Sequence, residues 1–261
     1  MILLPKRFQQ WWPALLLCLT AAATAGCTPV TVTPIPTVRF DTEGDPPKPI
    51  LLVFLPGRGD DGGRFDSEGF VAAVRRAGIQ ADMMAVEAHM GYYLERNLPE
   101  KLYRDVITPA RLRGYRQIWL VGISLGGFGA LWYDIEHPGD LAGIAILAPY
   151  LGDPEVVTEV VRAGGLSAWQ PTDGITDDQQ KIWKGLKAYE NQQKSRGRVY
   201  LGYGRQDRFA EANGLLAAVL PPEQVFTIDG GHDWETWKHI WARMLRKLTL
   251  NGSDKQRPLL E

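Results

Sequence analysis

Strand-like and helix-like segments alternate along most of this 261-residue chain. Short, largely apolar runs, typical of strands buried on both faces of a parallel sheet, occupy residues 49–55, 80–88, 117–121, 142–147, 198–204 and 224–228. Helical patterns fall between them at residues 65–77, 98–113 and 127–137. The alternation predicts an α/β fold with a doubly wound, mostly parallel sheet and helices on both faces.

The domain that contains this pattern is expected to span residues 49–250. Before it, residues 27–48 are rich in proline and threonine, a composition that favours an extended spacer that does not pack. Residues 30–32 and 38–40 carry only a weak edge-strand signal. After the domain, residues 251–261 form a polar tail.

One region of the domain is irregular. Residues 150–196 contain two helical segments separated by glycine and proline, which predicts a small helical cap inserted after a strand. Trp169 and Trp183 within it either shape an acyl pocket or pack between ordinary helices, and residues 89–93 are expected to line the other side of that pocket.

The chain begins with the pattern of an export signal. Lys6 and Arg7 precede a short apolar core at residues 13–23, and the sequence Thr-Ala-Gly-Cys follows, ending at Cys27. The core is too short for a comfortable membrane span, so residues 1–26 are expected to be a cleaved signal peptide. The ending resembles a bacterial lipobox, with threonine in place of the usual leucine. Ordinary signal cleavage with an incidental cysteine is the alternative.

This resemblance implies that Cys27 is acylated and tethers the protein to a membrane of the bacterial cell envelope. The residue after the cysteine is threonine, not aspartate, which resembles sorting to the outer membrane, at its periplasmic face. Cys18 is the other cysteine and leaves with the signal, so no disulfide is expected. The exported chain would carry 27 basic against 30 acidic residues, which gives no nucleic-acid-binding signal.

The strongest chemical signal is a G-x-S-x-G motif centred on Ser124. An apolar run at 117–121 leads directly into Gly122, and a helical stretch begins after Gly126. Strand, sharp turn and helix are the context in which this motif presents a nucleophilic serine above a sheet edge. A tight turn with Ser124 as a helix N-cap is the alternative.

A serine hydroxyl needs a base to take its proton. The chain has four histidines, His89, His137, His232 and His239. His232 follows the last strand pattern and precedes a helix, which places it at the carboxyl edge of the sheet where Ser124 is expected. His89 follows an earlier strand and stays open as an alternative, whereas the other two belong to helix patterns.

The acid that orients this base is expected at the same edge. Asp207 follows the strand at 198–204, and the order Ser124, Asp207, His232 matches the Ser…Asp…His order of one hydrolase architecture. Asp153, one strand earlier, is the second candidate for the acid. Asp207 also has a structural alternative, as an N-cap of the next helix.

Three segments together carry a resemblance to a known superfamily. They read Gly122-Ile123-Ser124-Leu125-Gly126-Gly127, Gly204-Arg205-Gln206-Asp207 and Gly230-Gly231-His232-Asp233-Trp234-x-x-Trp237. The chain resembles the α/β-hydrolases, specifically small members of the esterase D and feruloyl-esterase kind, over about residues 49–248. The resemblance implies the hydrolase fold and a Ser-His-Asp triad, and it is weakly specific for substrate.

The resemblance also implies an oxyanion hole made by two backbone N–H groups. One belongs to Leu125, the residue after the serine. The other comes from the loop after the first buried strand, where Pro56 stands in place of the histidine common in relatives. This departure leaves Arg58 and Gly59 as alternatives, of which Arg58 is preferred.

The same loop contains a second motif. Gly57, Gly59 and Gly62 spell G-x-G-x-x-G after a strand, which alone would suggest a dinucleotide site. Asp60 and Asp61 would repel a pyrophosphate there. A metal site on Asp60, Asp61 and Asp66 is disfavoured because no second ligand cluster accompanies them. We therefore expect neither a cofactor nor a metal.

The residues after the histidine belong to the last helix. Trp234, Trp237 and Trp241 recur at helical spacing, which predicts a core-facing stripe. Asp233 is adjacent to His232 and cannot easily bend back to its ring, so it is expected to be a helix N-terminal charge.

These observations predict a serine hydrolase that cleaves small carboxylic esters through an acyl-enzyme. A thioesterase or an acyltransferase with the same triad is an alternative, and so is a non-catalytic envelope protein on a hydrolase scaffold. The acyl length, the physiological substrate and the oligomeric state are not encoded in any recognisable motif.

Overall fold

The computed structural model describes residues 30–41, 47–171, 178–191 and 198–248. The predicted signal peptide, Cys27 and the polar tail lie outside the described residues, as do parts of the predicted spacer and cap.

The described residues form one seven-stranded sheet in the order β1-β3-β2-β4-β5-β6-β7. The strands are β1 Thr37–Arg39, β2 Ile50–Leu55, β3 Ala81–Val86, β4 Gln117–Ile123, β5 Gly143–Leu147, β6 Arg198–Gly204 and β7 Val225–Ile228. All neighbouring pairs are parallel except β1 with β3, which is antiparallel. The prediction of a mostly parallel α/β sheet is confirmed.

Helices connect the parallel strands, as parallel pairing requires. They are α1 Arg64–Ser67, α2 Phe70–Arg76, α3 Met90–Leu94, α4 Leu98–Leu102, α5 Thr108–Leu112, α6 Leu125–Glu136, α7 Pro154–Arg162, α8 Asp178–Asn191, α9 Ala210–Ala217 and α10 Trp234–Leu245. A π-helical turn, Tyr103–Ile107, joins α4 to α5, and a 3₁₀ turn, Pro222–Gln224, precedes β7. In the part of the chain described here, no helix is both long and apolar enough to span a membrane.

Two apolar layers cover the two faces of the sheet. Along β2, Leu51, Val53 and Leu55 belong to one buried cluster, and the alternate residues belong to the other. This alternation follows from the two-residue period of a strand. The second cluster includes Trp241 of α10, so the predicted tryptophan stripe does face the core. The sheet is therefore doubly wound, and its central strands are buried on both sides.

The prediction that residues 27–48 form an unpacked spacer is wrong for residues 31–41. Ile35 is only 3% exposed, and its N–H donates to Asp105 Oδ2 at 2.9 Å. The N–H of Val32 donates to the Tyr92 hydroxyl at 3.1 Å, and β1 pairs with β3. The composition of the segment pointed to an extended spacer because it is dominated by proline and threonine. The packing depends on one buried isoleucine and a three-residue strand, which change that composition little.

Where it is described, the predicted cap region packs on the domain. Gly185 of α8 faces Ile135 of α6 so closely that a Cβ on the glycine would lie 2.5 Å from the isoleucine Cδ1. Trp169 and Trp183 are both buried in the core. The Trp183 ring N–H donates to the Leu151 carbonyl at 2.7 Å. The two tryptophans thus follow the packing alternative, not the pocket-shaping one.

Candidate active site

Ser124 occupies a strained turn between β4 and α6. Its φ of 52° and ψ of −113° lie in a region that side chains rarely adopt. The flanking glycines allow the turn: a Cβ on Gly126 would lie 2.0 Å from the carbonyl oxygen of Leu55, and one on Gly122 would lie 2.2 Å from the carbonyl oxygen of Gly126. No larger residue fits either position without a backbone shift, so the G-x-S-x-G spacing is a packing requirement.

Backbone hydrogen bonds hold this turn on the sheet edge. The Ser124 N–H donates to the Leu147 carbonyl at the end of β5 at 2.9 Å. The Ser124 carbonyl accepts from the N–H groups of Phe128 and Tyr150, each at 3.1 Å. The turn is therefore fixed both by its own helix and by the neighbouring strand, and these bonds offset the strain.

The three side chains predicted to act together lie in one hydrogen-bonded chain. His232 Nε2 lies 3.0 Å from Ser124 Oγ, and His232 Nδ1 lies 2.8 Å and 3.0 Å from the two carboxylate oxygens of Asp207. The Asp207 side chain is fully buried and that of His232 is 12% exposed. An imidazole between a hydroxyl and a buried carboxylate is poised to move one proton.

Direct contacts between two loops set the distance from Asp207 to His232. Gly204, at the end of β6, approaches Gly230 so closely that a Cβ would lie 2.2 Å from the Gly230 carbonyl oxygen. Gln206 forms two hydrogen bonds to Gly230. Its N–H donates to the Gly230 carbonyl at 3.0 Å, and its side-chain oxygen accepts from the Gly230 N–H at 2.6 Å. The acid loop and the histidine loop therefore form one unit.

Two aromatic rings hold the imidazole from the sides. The rings of Phe209 and Trp237 both meet His232 at nearly right angles, with centroids 5.0 Å and 4.9 Å away. Asp207 Oδ1 also accepts from the Phe209 N–H at 2.8 Å, which orients the carboxylate. Such contacts reduce the rotamer freedom of the histidine and keep it aligned with the serine.

The alternatives raised from the sequence make other contacts. His89 caps α3, where its Nδ1 accepts from the Gly91 N–H at 3.1 Å. Asp153 precedes α7 and accepts a hydrogen bond from the Tyr150 hydroxyl. Asp233 caps α10 by accepting from the Thr236 N–H at 2.8 Å, and this bond lowers the pKa of its carboxyl. Asp233 is thus the helix N-terminal charge expected for it.

The loop after β2 lies against the serine. A Cβ on Gly57 would lie 3.6 Å from the Ser124 Cβ, and the Asp60 N–H donates back to the Gly57 carbonyl at 3.2 Å to close a turn. Gly59 takes the left-handed conformation within this turn, with φ 84°. Arg58 lies between the two glycines and lines the same cleft as Ser124 and Leu125. Both residues predicted to supply oxyanion donors therefore border the cleft that contains Ser124.

The second motif of this loop serves packing. The Gly62 N–H donates to both carboxylate oxygens of Glu87, at 3.1 Å and 3.2 Å. Asp60 lies beside Arg64 with its Oδ1 3.6 Å from Nε, and burial raises the pKa of this aspartate while the arginine opposes the rise. Carboxylates therefore surround this glycine-rich loop, where a dinucleotide site would bind a pyrophosphate.

A cleft of about 640 Å³ opens over Ser124. Its apolar wall comes from the α3 region and from the first turns of α6, and consists of Met90, Tyr93, Leu94, Leu125, Phe128 and Trp132. Tyr150, Asp153, Phe209 and three arginines complete it. Of the segment 89–93 that was expected here, Met90 and Tyr93 line the cleft. Phe128 and Trp132 were not predicted, although their i, i+4 spacing after the serine was an available signal.

A family model settles the classification. The model named Esterase, described as "Putative esterase", matches residues 92–248, which is more than half of the chain. The chain belongs to this esterase family. The esterase is an ester-hydrolysing enzyme, and the expected superfamily and enzyme class are confirmed.

Solved structures share the fold of this esterase at low identity. S-formylglutathione hydrolase from Staphylococcus aureus superposes with a TM-score of 0.55 at 15% identity, over 78% of this chain and 82% of that one. A ferulic acid esterase gives 0.54 at 18%, over 78% and 85%, and Est1E from Butyrivibrio proteoclasticus gives 0.53 at 17%, over 82% and 97%. A search of curated protein sequences finds no significant match. These likenesses establish the α/β-hydrolase fold.

Proposed function

We propose that this esterase cleaves carboxylic esters through an acyl-enzyme formed on Ser124. The observation that supports the proposal is the position of His232, whose two ring nitrogens contact the Ser124 hydroxyl at 3.0 Å and the Asp207 carboxylate at 2.8 Å. A serine alone is a poor nucleophile, and this arrangement supplies both the base and the group that orients it.

In the proposed first step, His232 Nε2 takes the hydroxyl proton as Ser124 Oγ attacks the ester carbonyl. Asp207 accepts a hydrogen bond from Nδ1 and stabilises the imidazolium that forms. The backbone N–H groups of Leu125 and Arg58 stabilise the charge on the carbonyl oxygen. His232 then returns its proton to the leaving alcohol, and the ester C–O bond breaks.

In the second step, water loses a proton to His232 and attacks the acyl-enzyme. The bond to Ser124 Oγ breaks, the serine recovers its proton, and the carboxylic acid leaves. The apolar wall of the cleft, which includes Phe128 and Trp132 of the helix that follows the serine, supports an acyl group with a hydrocarbon portion.

The decisive test is covalent labelling with a fluorophosphonate. The wild type is expected to bind one equivalent, and Ser124→Ala is expected to bind none and to lose hydrolysis of 4-nitrophenyl butyrate. Ser67→Ala, which alters an exposed serine on α1, is the matched control and should label fully. Continued labelling of Ser124→Ala would refute the assignment.

We further propose that the enzyme is an exported lipoprotein, acylated on Cys27 and held in the bacterial cell envelope at the periplasmic face of the outer membrane. The support is the sequence alone: the charged start, the short apolar core and the lipobox-like ending. More than one acyl chain is needed for stable anchoring. Metabolic labelling with an alkyne fatty acid should mark the wild type and not Cys27→Ser, and label retained by that variant would contradict the proposal.

A further inference from the structure

The rim of the cleft carries an excess of positive charge that the proposed ester chemistry does not use. Arg58, Arg96 and Arg208 all line it, and Asp153 is the one carboxylate among the described lining residues. The Tyr150 hydroxyl already donates to that aspartate. A neutral ester would gain nothing from such a rim.

Two of these arginines flank the serine from opposite sides. Arg58 follows β2 and Arg208 follows β6, with β4 and β5 between those strands. At roughly 4.8 Å per strand, the two strands lie about 14 Å apart, which is the scale of a small ester. Among the described residues, neither arginine forms an ion pair with a carboxylate.

Arg208 lies on the side where the alcohol must depart. Its guanidinium carbon lies 4.9 Å from the centre of the Phe209 ring, and that ring contacts His232. The leaving oxygen has to reach His232 Nε2 to receive its proton. An alcohol that leaves past His232 therefore passes the aromatic ring on which Arg208 rests.

The other wall of the cleft is mostly apolar and is assigned here to the acyl group. Phe128 and Trp132 lie on α6, and the Tyr93 ring of α3 lies 6.3 Å from that of Phe128. Among the described lining residues, Arg96, two residues after α3, is the one arginine that adjoins this wall. Burial raises the pKa of the Tyr93 phenol, which favours its neutral form. A charged acyl chain would have to enter an apolar wall.

We infer that the physiological substrate is an ester of an apolar acid with an alcohol that carries an anionic group, and that Arg208 recognises that group. This inference rests on the proposed function, because it assigns the alcohol to the His232 side. A guanidinium binds carboxylates, sulfates and phosphates through paired N–H groups, so the shared chemistry is the negative charge on the leaving alcohol.

Three model esters separate the possibilities. They are 4-nitrophenyl butyrate, which is neutral, 3-carboxy-4-nitrophenyl butyrate, whose leaving group is anionic, and mono-4-nitrophenyl glutarate, whose acyl group is anionic. Values of kcat/KM are measured for wild type, Arg208→Gln, Arg208→Glu and Arg116→Gln. Arg116 is exposed before β4, at the opposite end of the sheet, and controls for net charge.

Arg208→Gln is expected to lower kcat/KM for the carboxylated leaving group, relative to 4-nitrophenyl butyrate, by about tenfold. Arg208→Glu should lower that ratio further, and 0.5 M NaCl should reduce it in the wild type and in Arg116→Gln, which both keep Arg208, but not in the Arg208 variants. Arg116→Gln should leave the ratio within about twofold of wild type, as for other surface charges far from a site.

Two results would overturn the inference. One is an unchanged ratio in both Arg208 variants, and the other is a loss confined to the glutarate ester, which would place the anion on the acyl side. Both presuppose turnover of 4-nitrophenyl butyrate that depends on Ser124. If that turnover is absent, the proposed function itself has failed.

Discussion

Replacing Asp207 with asparagine tests how the carboxylate controls the proton on His232. The carboxylate accepts from His232 Nδ1 at 2.8 Å and from the Phe209 N–H at 2.8 Å. Asparagine keeps one oxygen for Phe209 and turns its NH₂ group toward the ring. Nδ1 must then accept a hydrogen bond, so the imidazole proton moves to Nε2 and the base can no longer take the proton of Ser124.

The expected loss is large because nothing can replace the carboxylate. Its side chain is fully buried, so water does not reach Nδ1 from that side. In a Ser-His-Asp triad this change lowers kcat by about 10⁴-fold, which corresponds to about 5.4 kcal/mol of transition-state stabilisation. Stability should change by only about 1 kcal/mol, because asparagine retains the bond to the Phe209 N–H.

The assay is the steady-state hydrolysis of 4-nitrophenyl butyrate, with thermal unfolding followed by circular dichroism to confirm folding. Asp153→Asn is the matched comparison, since Asp153 lies in the same cleft but contacts the Tyr150 hydroxyl. We expect its kcat to stay within about threefold of wild type, as for a polar group outside the reacting atoms. A greater loss in Asp153→Asn than in Asp207→Asn would refute the assignment of the acid.

Three further substitutions probe the scaffold. Gly126→Ala should abolish Ser124 labelling or folding, because its Cβ would lie 2.0 Å from the Leu55 carbonyl oxygen, and normal activity would contradict the close approach. Ile35→Ala should lower the free energy of unfolding in urea by about 2 kcal/mol, and no change would show that the segment before β2 does not pack. Asp233→Asn should lower the free energy of unfolding above pH 3.8, the ordinary pKa of the carboxyl. Because the pKa of Asp233 is lowered in the folded protein, the stability that its carboxylate contributes is lost as pH falls through that lowered pKa. A difference from wild type that persists in stronger acid would contradict this prediction.

Local requirements explain why the site could be predicted so largely from the sequence. The glycines on both sides of Ser124 are needed by close backbone approaches within a few residues, so the motif is visible in the chain itself. Asp207 and His232 each follow an apolar strand, and parallel strands bring their carboxyl ends to one edge. The order of the strands was not needed, because any mostly parallel arrangement places all three residues at that edge.

Features that depend on distant partners were not visible. Ile35 belongs to a buried apolar cluster and its N–H donates to Asp105 across the fold, and its neighbours in the chain give no sign of either contact. Trp169 and Trp183 are large aromatic residues of the kind found both in pocket walls and in cores, so their role was left open. Whether a tryptophan faces a cleft or a core is decided by the element packed against it, here α6 and its surroundings, and a single sequence does not contain that information.

The distinction between local requirements and distant partners also separates the proposed catalytic residues from the proposed specificity residue in this enzyme. The proposed proton relay is confined to turns whose backbone geometry admits almost no substitution, since Gly204 and Gly126 both lie against carbonyl oxygens. Arg208 lies one residue after the buried Asp207, yet its side chain is exposed and only rests on the Phe209 ring. A change at that position can therefore alter the charge that meets the leaving alcohol without moving the carboxylate beside it. If Arg208→Glu were to lower hydrolysis of the neutral ester as severely as that of the anionic ester, this separation would be wrong, and the arginine would have to be assigned to the positioning of Asp207.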